Sequence, residues 1–112
     1  MPTDVVVAPR FSQDARKLQK RYPHIFSDVE PLKNSLANGE IPGDQIPGVG
    51  YTVFKVRIRN SDVQRGKSGG YRVVYYLQLV DRIVLLTIYS KSEQSDVTAD
   101  VIRRIIQAYE AR

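Results

Sequence analysis

A chain of 112 residues that is 42% hydrophobic and 26% charged has the length of one domain and the composition of an ordinary globular protein, which excludes disorder throughout and predicts a single unit over residues 1–112. The net charge of +5 favours an anionic partner, whether nucleic acid, a ribosomal surface, anionic lipid or an acidic protein. The absence of cysteine and the single histidine, His24, remove disulfides, thiolate nucleophiles and sulfur-held zinc and leave little for a Ser-His-Asp arrangement, so neither a metal nor a cofactor is expected.

No apolar run approaches the length of a transmembrane helix, and Met1 to Arg10 lacks the basic start and long apolar stretch of a signal peptide. The expected location is therefore the cytoplasm, with no membrane partner.

Along the chain, Asp4 to Pro9 predicts a short strand, because Val5, Val6 and Val7 are β-branched and Pro9 cannot continue a central ladder. Ser12 is placed to cap a helix in which Phe11, Ala15, Leu18 and Tyr22 recur at helical spacing, with Arg16, Lys17, Lys20 and Arg21 on the wet side and Pro23 as the stop. Ser27-Asp28-Val29-Glu30 has the spacing of a capping box, and Val29, Leu32 and Leu36 form a narrow apolar stripe up to Asn38-Gly39, which predicts a second helix. Its start stays open: Pro31 fits a first turn better than a middle, while His24 to Phe26 can add an earlier turn. His24 itself reads as a surface or capping residue.

Glu40 to Gly50, with Pro42, Gly43, Pro47, Gly48 and Gly50, reads as a loop. Tyr51 to Asn60, Tyr71 to Val80 and Ile83 to Ser90 then read as three strands of an antiparallel meander, with a polar connection from Ser61 to Gly70 and a tight turn at Asp81-Arg82. Thr98 or a neighbour opens a last helix in which Val101, Ile102, Ile105 and Tyr109 can face the sheet while Arg103, Arg104 and Glu110 face water. The order is β-α-α-β-β-β-α, an α+β fold.

The chemistry concentrates on the meander. Side chains alternate along a strand, so Phe54, Val56 and Ile58 can pack on a core while Lys55, Arg57 and Arg59 emerge together on the opposite face with no carboxylate between them. That repulsion points to an anionic partner. On the next strand Tyr71, Val73, Tyr75, Leu77 and Leu79 form the better core set, which leaves Arg72 and Tyr76 on a polar face beside the cations. Strict alternation on the third strand groups Ile83, Leu85, Thr87, Tyr89 and Lys91 against Val84, Leu86, Ile88 and Ser90, and the register that decides which group joins the cations is not fixed by sequence. If Tyr89 and Lys91 join them, the surface is concave, cationic and lined with aromatic rings, which suits RNA: basic side chains take phosphate and tyrosines stack on unpaired bases. The bland alternative is the solvated face of an amphipathic sheet.

Two loops carry further candidates. Gly66-Lys67-Ser68-Gly69-Gly70 is not a Walker A motif, since the spacing is wrong and no helix follows. It reads either as a flexible hairpin connection or as a place where backbone amides and Lys67 approach a phosphate. In Lys91-Ser92-Glu93-Gln94-Ser95-Asp96, Glu93 and Asp96 can accept a proton, although a cheaper reading has Ser95 or Asp96 capping the last helix and Glu93 pairing with a neighbouring base.

With Phe54-Lys55-Val56-Arg57, Gly70-Tyr71-Arg72-Val73-Val74-Tyr75 and Ile88-Tyr89-Ser90-Lys91-Ser92-Glu93 in this order and spacing, nearly the whole chain resembles the RelE/ParE superfamily of type II toxin-antitoxin toxins. The Ser-Gly-Gly-Tyr-Arg-Val and Tyr-Ser-Lys-Ser-Glu stretches look like the RelE or HigB-like branch more than the gyrase-directed ParE branch. The resemblance implies a compact curved antiparallel sheet flanked by helices, a cognate antitoxin partner, and cutting of mRNA in the ribosome without a metal or small-molecule cofactor. In such a reaction the 2′-hydroxyl attacks the adjacent phosphate and the 5′-oxygen leaves. By similarity Lys55, Arg57, Arg72 and Lys91 fall on catalytic positions, with Arg57 and Arg72 on the phosphoryl oxygens, and Arg59, Lys67, Tyr76 and Tyr89 are expected to bind RNA.

Lys55 or Lys91 can assist proton transfer only in a tuned environment, since an ordinary lysine is protonated near neutral pH. The chain departs from the family pattern at Ser92, where relatives often carry arginine, and at Thr98, where they often carry tyrosine; Tyr89 or Tyr76 is the available replacement. Inhibition of DNA gyrase in the manner of ParE, and a toxin that only binds its antitoxin, are the alternative functions.

Overall fold

The computed structural model of the protein describes residues 3–63 and 70–111. It contains β1 (Asp4–Val7), α1 (Pro9–Gln19), α2 (Ile25–Ala37), β2 (Asp44–Gln45), β3 (Val53–Ile58), β4 (Tyr71–Leu79), β5 (Arg82–Ser90) and α3 (Ala99–Glu110). The strands form one sheet in the order β1-β5-β4-β3-β2. The meander β3-β4-β5 is antiparallel as expected, and β1 adds to β5 in parallel, which makes the sheet mixed. Among the described residues no helix is long and apolar enough to cross a membrane.

The two faces of the sheet bury two separate cores. On one, Phe11 and Ala15 of α1 and Ile25, Val29, Leu32 and Leu36 of α2 pack on Tyr71, Val73, Tyr75, Ile83, Leu85 and Ile88, with Phe54, Val56 and Ile58 at the margin. On the other, Ile102, Ile105 and Ile106 of α3 cover Val53, Val74, Tyr76, Val84 and Leu86. Both helical stripes follow the spacing of amphipathic helices.

Local differences from the sequence reading have local causes. The first helix begins at Pro9 rather than after Ser12, because a proline at the first helical position has its φ preset and loses no hydrogen bond there. The second begins at Ile25, so Pro31 lies inside it and Ser27 lies in its first turn, where its hydroxyl donates to the His24 carbonyl. The Glu40–Gly50 loop contributes the two-residue β2 to the sheet edge. Gly43 (φ +94°) makes that approach possible: a Cβ there would collide with the Lys55 carbonyl. The hairpin turn falls at Val80-Asp81, one residue earlier than expected. Arg103 does not simply face water, since its guanidinium donates to the carbonyls of Gly48 (2.9 Å) and Val49 (3.0 Å) and pins α3 to the loop that enters β3.

One irregularity places the site. Val74 pairs with Thr87 but Tyr75 pairs with Leu85, so Leu86 is an extra residue in β5. Such a bulge shifts every later side chain to the opposite face. Ile83 and Leu85 therefore point at α1 and α2, whereas Tyr89 points to the side of α3, and the grouping expected from unbroken alternation is corrected.

Candidate functional site

On the α3 side of the sheet, Arg57 pairs with Arg72 and Arg72 pairs with Tyr89, so the three stand in one row across three strands. With about 5 Å between directly opposed Cα atoms, the row is about 10 Å wide. Lys55 lies two residues from Arg57 on the same face of β3, and Lys91 follows the end of β5. The helix α3 lies over Val53, Tyr76 and Val84, the opposite half of this face. The sheet thus brings together four side chains predicted as catalytic.

These side chains differ in how they are held. Arg57 is exposed, as is Arg59 just beyond the end of β3, and neither has a carboxylate partner among the described residues. Arg72 is half-buried, and its Nη1 is buried with no hydrogen-bond partner among the described residues. Gly70, at the start of β4, has its Cα side against the Ile58 carbonyl, where a Cβ would come within 2.7 Å, and Arg57 Cγ is the next neighbour. A glycine is needed for that close approach beside the arginine row.

Lys55 and Lys91 converge on one carboxylate. Asp96 Oδ2 lies 3.4 Å from Lys55 Nζ and Oδ1 lies 3.0 Å from Lys91 Nζ, and the Tyr89 hydroxyl also donates to Oδ1 at 3.0 Å. The bond with Lys91, then that with Tyr89, and the charge of Lys55 hold Asp96 well below the usual carboxylate range, at about 2. Burial, followed by donation to Asp96, pushes Tyr89 up to about 12. At neutral pH the phenol is therefore a proton donor and Asp96 a fixed negative charge.

Asp96 is the residue that sequence reasoning misplaced. The cap of α3 is Thr98, whose hydroxyl accepts from the Val101 N–H, and Asp96 faces the lysines instead. The signal available in sequence was its distance of only five residues from Lys91 on a loop that returns over the same face. Glu93, by contrast, pairs with a neighbouring base as expected: Arg21 lies 3.4 Å away, and the Tyr22 hydroxyl donates to it at 2.7 Å. His24 sits at the start of α2 with its ring on Asp62 (2.7 Å), away from the row.

Two expectations about aromatic rings are corrected. Tyr76 is only 6% exposed and Tyr89 only 3%. Both rings belong to the core under α3, and their hydroxyls are bound to Glu110 and Asp96 respectively. Neither offers a face for a base to stack on, because α3 and its leading loop occupy that space. Tyr89 reaches the site through its hydroxyl alone. Lys67 lies outside the described residues.

Ser92 and Thr98, the positions that depart from the family pattern, both have local partners: Ser92 Oγ is 2.9 Å from Ser90 Oγ, and Thr98 caps α3. Among the described residues no three His, Asp or Glu side chains gather as metal ligands would. The sequence matches a protein-family model described as the RelE toxin of the RelE / RelB toxin-antitoxin system over residues 12–109, from within α1 to the last turn of α3.

Proposed function

The chain belongs to the RelE toxin family of toxin-antitoxin systems, and from that premise we propose that it is an endoribonuclease that cuts mRNA held in the ribosome and is restrained by a cognate antitoxin. The observation that carries this reading is the Arg57-Arg72-Tyr89 row across three strands, with two lysines converging beside it.

A phosphodiester laid across that row meets donors suited to a pentacoordinate phosphorane. Arg57 and Arg72 hydrogen-bond the non-bridging oxygens, where negative charge grows as the 2′-hydroxyl gives its proton to solvent water, its oxygen bonds to phosphorus and the bond to the 5′-oxygen breaks. The Nη1 of Arg72, without a partner among the described residues, suits this role, since binding an oxyanion satisfies a buried donor. Tyr89, protonated at neutral pH, is the available donor for the leaving 5′-oxygen. Lys55 and Lys91, converging beside the row, neutralise a neighbouring phosphate of the strand.

Mapping transcript ends after induction, for the wild type and for Arg72→Ala, tests the proposal. New ends that depend on Arg72 and on translating ribosomes are expected. Intact transcripts with induction of the DNA damage response would favour a gyrase inhibitor, and harmless expression would favour a chain that only binds its antitoxin.

A further inference from the structure

The position best placed for an anion in this site is already filled by the protein itself. Asp96 sits between Lys55 and Lys91 at ion-pair distance from both and receives the proton-donating hydroxyl of Tyr89. It is carried by a stretch from Lys91 to Thr98 without helix or strand, and its side chain is 48% exposed. The turn that begins this stretch is fixed by Glu93 and Gln94 N–H groups on the Ser90 carbonyl, so the carboxylate can leave the lysines without breaking the sheet or α3.

We infer that Asp96 is a built-in competitor of the RNA phosphate, and that a strand enters the Lys55-Lys91 position only by displacing it. The identity of the anion rests on the endonuclease reading above, whereas the competition itself rests on the contacts. A carboxylate and a phosphodiester each carry one negative charge, so exchanging one for the other at two lysines gains little. The carboxylate is moreover tethered, and a short flexible tether presents its group at an effective concentration of about a millimolar. Free RNA below that concentration competes poorly. A strand held in place so that its neighbouring phosphates reach Arg57, Arg59 and Arg72 at the same time overcomes the competitor. Asp96 thus gives a physical reason for a toxin of this kind to act on ribosome-held mRNA and to leave free transcripts alone.

The test uses the full chain and a fluorescein-labelled, single-stranded 2′-O-methyl oligonucleotide, which cannot undergo 2′-hydroxyl attack, so binding is read without cleavage and without ribosomes. Wild type, Asp96→Asn and Asp81→Asn are titrated over a range of salt concentrations. Asp81 lies in the β4–β5 turn and supplies a matched change of net charge away from the lysines. Asp96→Asn is expected to bind about tenfold tighter than Asp81→Asn, with a salt dependence steeper by about 0.7 to 1.4 log units per log unit, as expected if one or two phosphate contacts are added. Asp96→Ser, which removes the charge with a smaller group, repeats the comparison if the amide disturbs Tyr89. Equal affinities and slopes for the Asp96 and Asp81 variants would overturn the inference even with a wild type that cuts mRNA on ribosomes. Tighter binding by Asp96→Asn together with a wild type that leaves ribosome-bound mRNA intact would support the competitor and overturn the endonuclease reading instead.

Discussion

The α3-facing side of the sheet has two halves built from the same three strands and opposite in character. In one, Val53, Tyr76 and Val84 lie in register under Ile102, Ile105 and Ile106. In the other, four residues along β3, Arg57, Arg72 and Tyr89 occupy an equivalent row, in which only the Tyr89 ring reaches the core under α3 and, among the described residues, no helix lies over the two arginines. The covered half is held by apolar burial and the open half by an ionic contact through Asp96. Alternation along a strand decides which face a residue takes, but the reach of α3 decides whether that face is core or site. Stability and chemistry should therefore separate along the strands.

The largest expected effect lies in the covered half. Tyr76→Ala removes a buried ring and should cost about 3 to 5 kcal/mol of folding free energy, read from the denaturant midpoint. Tyr76→Phe keeps the ring and removes only the donation to Glu110 (2.7 Å), at about 0.5 to 1.5 kcal/mol. Loss of cleavage in a stable Tyr76→Phe protein would break the division, since it would give the covered half a chemical role.

The open half should respond in the opposite way. Arg72→Ala is expected to lower the cleavage rate on ribosomes by about 100- to 1000-fold, the usual loss on removing one preorganised donor. Its melting temperature should stay close to that of the wild type, because Nη1 has no partner to orphan among the described residues. Unfolding of this variant would show that the arginine holds the sheet together. Arg57→Ala, at the exposed end of the row, should lower cleavage by about tenfold, and Lys20→Ala at the end of α1 should leave it unchanged. Equal losses would mean that diffuse charge, and not the row, governs the activity.

How much of this was legible in the sequence follows from the range of each signal. The helices and the meander rest on local periodicity, and the cationic face of β3 follows from alternation over six residues, so these were readable. The bulge at Leu86 was not, because an extra residue inside an apolar run such as Ile83 to Ile88 leaves the composition unchanged while moving Tyr89 to the other face. The burial of Tyr76 and Tyr89 escaped for a similar reason. A tyrosine on a basic face reads as a stacking platform until a helix that starts 23 residues after Tyr76 and 10 after Tyr89 is known to lie on it. Asp96 was misread because a carboxylate two residues before a threonine cap looks like a cap itself, and only the path of the loop over the strands sends it to Lys55.

The ionic contact also gives the open half a pH dependence in the acid range. Folding depresses Asp96 to about 2 through Lys91, Tyr89 and Lys55, whereas an aspartate in an unfolded chain titrates near 3.9. A carboxyl with a lowered folded-state pKa contributes stability that is fully present above the unfolded value and is lost as pH falls toward the folded one. The window is therefore about pH 4 down to about pH 2. Because the carboxylate is half-exposed, solvent screening keeps the contribution small, under about 1 kcal/mol. Other carboxylates protonate in the same window, so the informative quantity is the difference between wild type and Asp96→Asn, in which they cancel. That difference in unfolding free energy should be constant from about pH 7 to pH 4 and close as pH approaches 2. A difference that is zero at neutral pH would mean that the Lys55-Asp96-Lys91 contact does not stabilise the fold. The open half would then be held by the Tyr89 ring in the core under α3, and the two halves would share one source of stability after all.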